Sequence, residues 1–163
     1  MQSGYGGRVP VAALSLEQFV GSFQLVRHIH DGADRDGPLV ARLEGSAVFT
    51  PDQAGLAYAE TGEMRLEGGQ IVSAERQYLW RAEPWRIAVF FGDGRAFHTF
   101  DPAGSHPEAR HDCDPDLYRV RYDFSRWPDW SSEWRVTGPR KNYRMVSEYA
   151  RPLVGTAKPE PEF

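Results

Sequence analysis

The sequence has a single cysteine in 163 residues, Cys113, so no internal disulfide can brace it and stability must come from a packed core. No apolar run approaches the roughly 20 residues that a membrane-spanning helix needs. Cations are in deficit: 19 Lys plus Arg against 23 Asp plus Glu give a net charge of −4, and the basic residues are dispersed rather than clustered. A nucleic acid or an anionic membrane therefore has no electrostatic footing, and neither is expected as a partner. Sequences of the forms G-x-S-x-G, H-E-x-x-H and the P-loop are missing. Gly92-Asp93-Gly94 joins two apolar runs with no helix behind it to hold a phosphate. The opening MQSGYGG contains no apolar h-region, so no signal peptide is predicted and a soluble, cytoplasmic protein is expected.

What the sequence has is alternation. Aromatic residues make up 13% of it and fall mostly in two-residue periodicity, which favours strands over helices. Tyr118, Val120, Tyr122 and Phe124 alternate with Leu117, Arg119, Arg121 and Asp123, and further alternating runs follow at 134–136 and 141–149. Upstream, Ser15 and Gln18 form a capping-box pattern that predicts a short helix over 16–20. A first strand then sets Phe23, Leu25, Arg27 and Ile29 on one face and Gln24, Val26, His28 and His30 on the other. Strands are expected over 39–50, over 56–60 and 64–66 on either side of Thr61-Gly62, and over 71–80, where Ala74, Arg76, Tyr78 and Trp80 share a face.

Residues 86–100 predict a hairpin on a two-residue Asp93-Gly94 turn of type I′. That register pairs Phe91 with Ala96, Val89 with His98 and Ile87 with Phe100, and it turns His98 inward. A strand carrying His111 and Cys113 follows, and a hairpin centred between Gly104 and Ser105 would set His98 opposite His111. About ten short strands in one domain imply an all-β fold, an up-and-down antiparallel barrel with a short N-terminal helix, with a two-sheet sandwich as the alternative. The expected organisation is a flexible arm over 1–14, the barrel over 15–153 and a disordered tail over 154–163.

The start helix, Gly21-Ser22-Phe23 entering the first strand, and a late arginine, Arg140, resemble the lipocalin and fatty-acid-binding superfamily, the calycins. In that pattern an aromatic residue packs under the barrel against a late Arg; here Phe23 stands where the pattern has Trp. The runs DGRAFHTFD, HDCDPDLYRVRYDF and W-x-V-x-GPRK-x-Y are similar to a lipocalin-like family of unknown function, domain of unknown function 6314. The resemblance implies a lipocalin-like barrel and brings no activity with it.

On the faces read as inward, Arg27, Arg76, Tyr78, Trp80, His98, His111, Tyr118 and Tyr122, joined by Lys141 and Tyr143 on the last strand, compose a candidate ligand site. A cation with phenols inside a barrel suits a small, mostly apolar molecule with a polar or acidic head, because a buried guanidinium is costly unless an anion meets it. For each Arg the competing assignment is an internal partner such as Glu60 or Glu75. His98, His111 and Cys113 carry two alternatives: they could converge on a transition metal, or the two histidines could form an acid/base pair with Tyr118 or Tyr122 as oxyanion donor in a barrel enzyme. A haem-facing role for the histidines is a further alternative, and the sequence names no cofactor. A third function class, a filled structural barrel that presents its exterior to another protein, is left open. His28 and His30 are read as solvent-facing, and Trp127, Trp130 and Trp134 as closing one barrel mouth.

Overall fold

The computed structural model describes residues 13–153. A 3₁₀ helix, Leu16–Phe19, precedes ten strands: β1 Gly21–Asp31, β2 Leu39–Pro51, β3 Leu56–Leu66, β4 Ile71–Glu83, β5 Arg86–Phe91, β6 Ala96–Phe100, β7 Glu108–Cys113, β8 Asp116–Asp123, β9 Trp130–Thr137 and β10 Asn142–Ala150. All pair antiparallel in one sheet of order β6-β5-β4-β3-β2-β1-β10-β9-β8-β7. The β1 to β10 ladder, with Leu25 opposite Tyr149, curls the sheet into a barrel. Its two edges, β6 and β7, meet at a seam that carries no ladder among the described residues. Most of the expected arm and all of the expected tail lie outside the described residues, and Leu14, the arm's last residue, packs in the core.

One end of the barrel is closed. The expected capping box of Ser15 and Gln18 is present, with Gln18 Oε1 accepting the Ser15 amide at 2.7 Å, and this pins the start of the short helix. Phe19 from that helix is fully buried among Phe49, Trp80, Phe124, Trp127 and Trp130. Phe23 is equally buried beside it, which stabilises the fold by about 2–3 kcal/mol for a ring of that size. The arginine that covers Phe23 is Arg151, whose guanidinium carbon lies 3.9 Å from the ring centroid. It also donates to the carbonyls of Gln18 and Ser22 at 2.8 and 3.3 Å. Arg140, expected in this role, is instead exposed at the opposite end. The reason is register: β10 runs antiparallel to β1, so its end, not its start, reaches the beginning of β1.

Three further expectations change. Residues 56–66 form one strand, because Gly45 and Gly62 face each other where β2 and β3 approach closely: a Cβ on Gly45 would stand 2.0 Å from the Thr61 carbonyl oxygen. In the β5–β6 hairpin only Gly94 has a positive φ, of 90°, and Phe91 exchanges hydrogen bonds with Gly94 and Arg95 across a three-residue loop. Val89 opposite His98 and Ile87 opposite Phe100 hold as expected, but Phe90, not Phe91, faces Ala96, which leaves Phe97 as a bulged extra residue. Finally, the chain between β6 and β7 does not fold into a hairpin centred between Gly104 and Ser105. Ser105 and Pro107 accept hydrogen bonds from Phe124 and Tyr122 of the β8 segment, so β7 leaves β6 behind.

Candidate functional site

Beyond the aromatic floor the barrel encloses a cavity of about 670 Å³. Its depth follows from the registers. Trp80, Val89 and His98 form one row near the closed end, with Tyr122, Trp130 and Tyr149 around them. Arg76, Phe91, Ala96, Cys113, Tyr118, Lys141 and Tyr143 line the other end, where it opens. All ten side chains expected on the inward faces, Arg27, Arg76, Tyr78, Trp80, His98, His111, Tyr118, Tyr122, Lys141 and Tyr143, line this one space.

Arg27 is not free. It sits in mid-barrel, 6% exposed, with its two terminal nitrogens 2.7 and 2.9 Å from the two oxygens of Glu60 and its Nε 2.7 Å from Ser147 Oγ. Tyr58 donates to the same carboxylate and shares a 3.1 Å hydrogen bond with the Tyr149 hydroxyl. Burial alone would raise the Glu60 carboxyl, but the hydrogen bonds and charge of Arg27 outweigh it and hold the group below the usual carboxylate range. Burial, with Tyr149 and Glu60 beside it, pushes the Tyr58 phenol well up. The network is a buried crossbar that holds β1, β3 and β10 together.

At the open end the cations differ. Lys141 Nζ donates to Tyr118 at 2.7 Å and pairs with Asp116 at 3.2 Å, and both contacts raise its pKa. Arg95 bonds Asp93 at 2.7 Å and lies over the Phe91 ring. Among the described residues Arg76 has only Glu60 Oε1, at 3.9 Å, beyond hydrogen-bond reach of a carboxylate already engaged by Arg27 and Tyr58. Its side chain is 44% exposed. Tyr143, whose phenol is raised by burial while Arg76 and Lys141 pull it back, lies within the field of both cations.

At the floor, His98 Nε2 and the Tyr122 hydroxyl are 2.7 Å apart. His98 is 7% exposed, and its Nδ1 has no hydrogen-bond partner among the described residues; the same is true of Trp130 Nε1. Burial, together with the neighbouring His111, lowers the His98 pKa to about 3, so the imidazole is neutral near pH 7. The partner expected for His98 was His111, and the hydrogen bond goes to Tyr122 instead because the seam separates β6 from β7 and leaves Tyr122 on β8 in reach. His111 is half-buried and meets the edge of the Phe97 ring at 5.2 Å between centroids.

Sequence reasoning missed Phe97. The bulge turns two consecutive residues, Phe97 and His98, toward the cavity, which strict alternation forbids. Phe97 stacks on Phe91 at 4.3 Å and 16° and on Trp134 at 5.0 Å and 15°, with Tyr78 at 5.7 Å and 26°. Tyr58, Glu60, Ser132 and Met145 also line the space, each on an inward parity of its strand. Trp134 belongs to this wall rather than to a closed mouth, whereas Trp127 and Trp130 do pack at the closed end. His28 and His30 stand outside the cavity lining; His30 Nδ1 contacts the Gly37 carbonyl at 3.1 Å. His98, His111 and Cys113 do not converge on a metal: among the described residues no group of three His, Cys, Asp or Glu side chains is placed to hold one.

The model of a family of unknown function, DUF6314, matches residues 19–151. Among solved structures, the fold is similar to that of an S-type phycobiliprotein lyase, CPES, from Guillardia theta. The two share a TM-score of 0.58 and 12% identity over 85% of this chain and 90% of that one. A search of curated proteins returns no match. The barrel is thus lipocalin-like, and no described helix is long and apolar enough to cross a membrane.

Proposed function

The chain belongs to the DUF6314 family, and within it we propose that this barrel binds a small, mostly apolar molecule with a polar or acidic head. The observation that carries the reading is the unfilled interior. A structural barrel packs its centre, whereas this one keeps about 670 Å³, inside the range of small-molecule sites. The lining fits the ligand: rings along the walls and, at the opening, a guanidinium that lacks a hydrogen-bonded acid among the described residues. The likeness to an S-type phycobiliprotein lyase adds that a barrel of this shape serves a protein that acts on phycobiliproteins.

Acid/base catalysis by His98 and His111 is the weaker reading. A general base works best with a pKa near the operating pH, and His98 lies far below it and is tied to Tyr122. Native mass spectrometry of freshly purified protein tests the binding reading. The expected result is a mass above that of the bare chain that disappears on denaturation. A bare mass, with no thermal shift from added hydrophobic carboxylic acids, would overturn it.

A further inference from the structure

One ring in the cavity belongs to no wall. Phe97 enters the barrel only because the β5–β6 register shifts beyond Val89 and leaves it without a cross-strand partner. From there its ring meets side chains from strands on both sides of the seam. Tyr78 of β4 and Phe91 of β5 lie 5.7 and 4.3 Å away between centroids, and His111 of β7, Tyr118 of β8 and Trp134 of β9 lie 5.2, 6.2 and 5.0 Å away. It stacks on Phe91 and on Trp134 and so covers a face of each. It also touches His98 of the floor at 4.6 Å, while Tyr118 belongs to the opening, so the ring stands at a waist between the two. Tyr58, Tyr122 and Tyr149, by contrast, are buried, hydrogen-bonded and carried on strands with a neighbour on either side. Phe97 is half-buried on β6, which pairs with β5 alone among the described residues.

Resting on the binding reading above, we infer that Phe97 is the residue that determines which ligands the cavity admits. Its ring narrows the waist, so a slender apolar body passes toward the floor and a broad one is stopped at the opening. A body wider than the gap must push aside a ring stacked on two others and lose those contacts, and a closely packed interior does not yield that space cheaply. The limit is set by a side chain and not by the barrel. Because Phe97 has no cross-strand partner, truncating it leaves every ladder in place, widens the waist and uncovers the faces of Phe91 and Trp134 to a ligand.

Calorimetric titration with decanoate and pyrenebutyrate, which carry the same carboxylate head on a slender and a broad body, tests this. The wild type is expected to bind decanoate about tenfold more tightly than pyrenebutyrate. In Phe97→Ala, pyrenebutyrate should gain roughly tenfold, because its rings now bury against Phe91 and Trp134, while decanoate gains nothing. Phe97→Leu, which keeps most of the apolar bulk, should shift the ratio in the same direction by less, and it carries the test if circular dichroism shows the alanine variant unfolded. A ring that merely packs the barrel would lower both affinities together; that result, or an unchanged ratio in both variants, would overturn the inference. So would a wild type that binds pyrenebutyrate as tightly as decanoate. Failure of both probes in all three proteins also overturns it, and the mass measurement then decides separately whether the cavity holds any ligand.

Discussion

Two arginines on inward faces of this barrel differ in what they meet. Arg27 is locked to Glu60, Ser147 and, through Glu60, Tyr58, so its charge is neutralised inside the protein. Arg76, one strand beyond Glu60 in the same row, stands 3.9 Å from the same carboxylate, beyond hydrogen-bond reach. Sequence parity placed both correctly but could not tell them apart, because the partner comes from another strand and is chosen by geometry. Arg151 makes the same point at the closed end. Its identity as the cover of Phe23 is set by the β1 to β10 register, which no local pattern reveals. Arg151→Ala removes a cation from a ring face and two carbonyl hydrogen bonds and is expected to cost about 1–3 kcal/mol in urea denaturation. Arg140→Ala, at an exposed position, should stay within about 0.5 kcal/mol. Equal effects of the two would sink the assignment.

Among the elements, glycines and bulges decide where alternation fails as a guide. Thr61-Gly62 reads as a break because glycine usually punctuates a turn, yet here it sits within β3 so that the β2 backbone can come close. Gly45→Ala places a methyl 2.0 Å from the Thr61 carbonyl oxygen, a backbone atom that cannot swing aside. The substitution should lower stability by about 1–3 kcal/mol, as overpacking does. Gly104→Ala, with nothing within 4 Å of its Cβ, is the control and should be close to neutral in the same melting experiment. The β5–β6 hairpin carries the parallel lesson. Asp93-Gly94 correctly marks the turn, but a three-residue loop and a bulge shift the register past Val89, and that shift is what brings Phe97 into the cavity. A turn signal fixes where strands reverse and leaves the loop length open by one residue.

For the molecule as a whole, the alternating runs were enough to give the barrel and to bring ten side chains to one cavity, while the seam, the crossbar and the floor depended on long-range pairing. The floor has a consequence for global stability. His98 has its pKa lowered to about 3 by burial and by His111, whereas a histidine in the unfolded chain titrates near 6.5. Between these values the unfolded state holds a proton on this residue that the folded state does not, so stability is fully present above about pH 6.5 and is lost as pH falls toward 3. The slope is about 1.4 kcal/mol per pH unit, which amounts to roughly 2 kcal/mol between pH 7 and pH 5. Glu60 also has a lowered pKa, but its contribution is lost only below the ordinary carboxylate range and so falls outside that interval. Urea denaturation of the wild type and of His98→Gln at pH 7 and pH 5 separates the terms, because glutamine can still bond the Tyr122 hydroxyl but does not titrate. The wild type should lose about 2 kcal/mol more than the variant over this step. The variant's absolute stability does not affect the comparison, since only the difference between the two pH values is read. Equal losses in both proteins would mean that His98 takes up its proton in the folded barrel, and the neutral, unpartnered imidazole at the cavity floor would have to be abandoned.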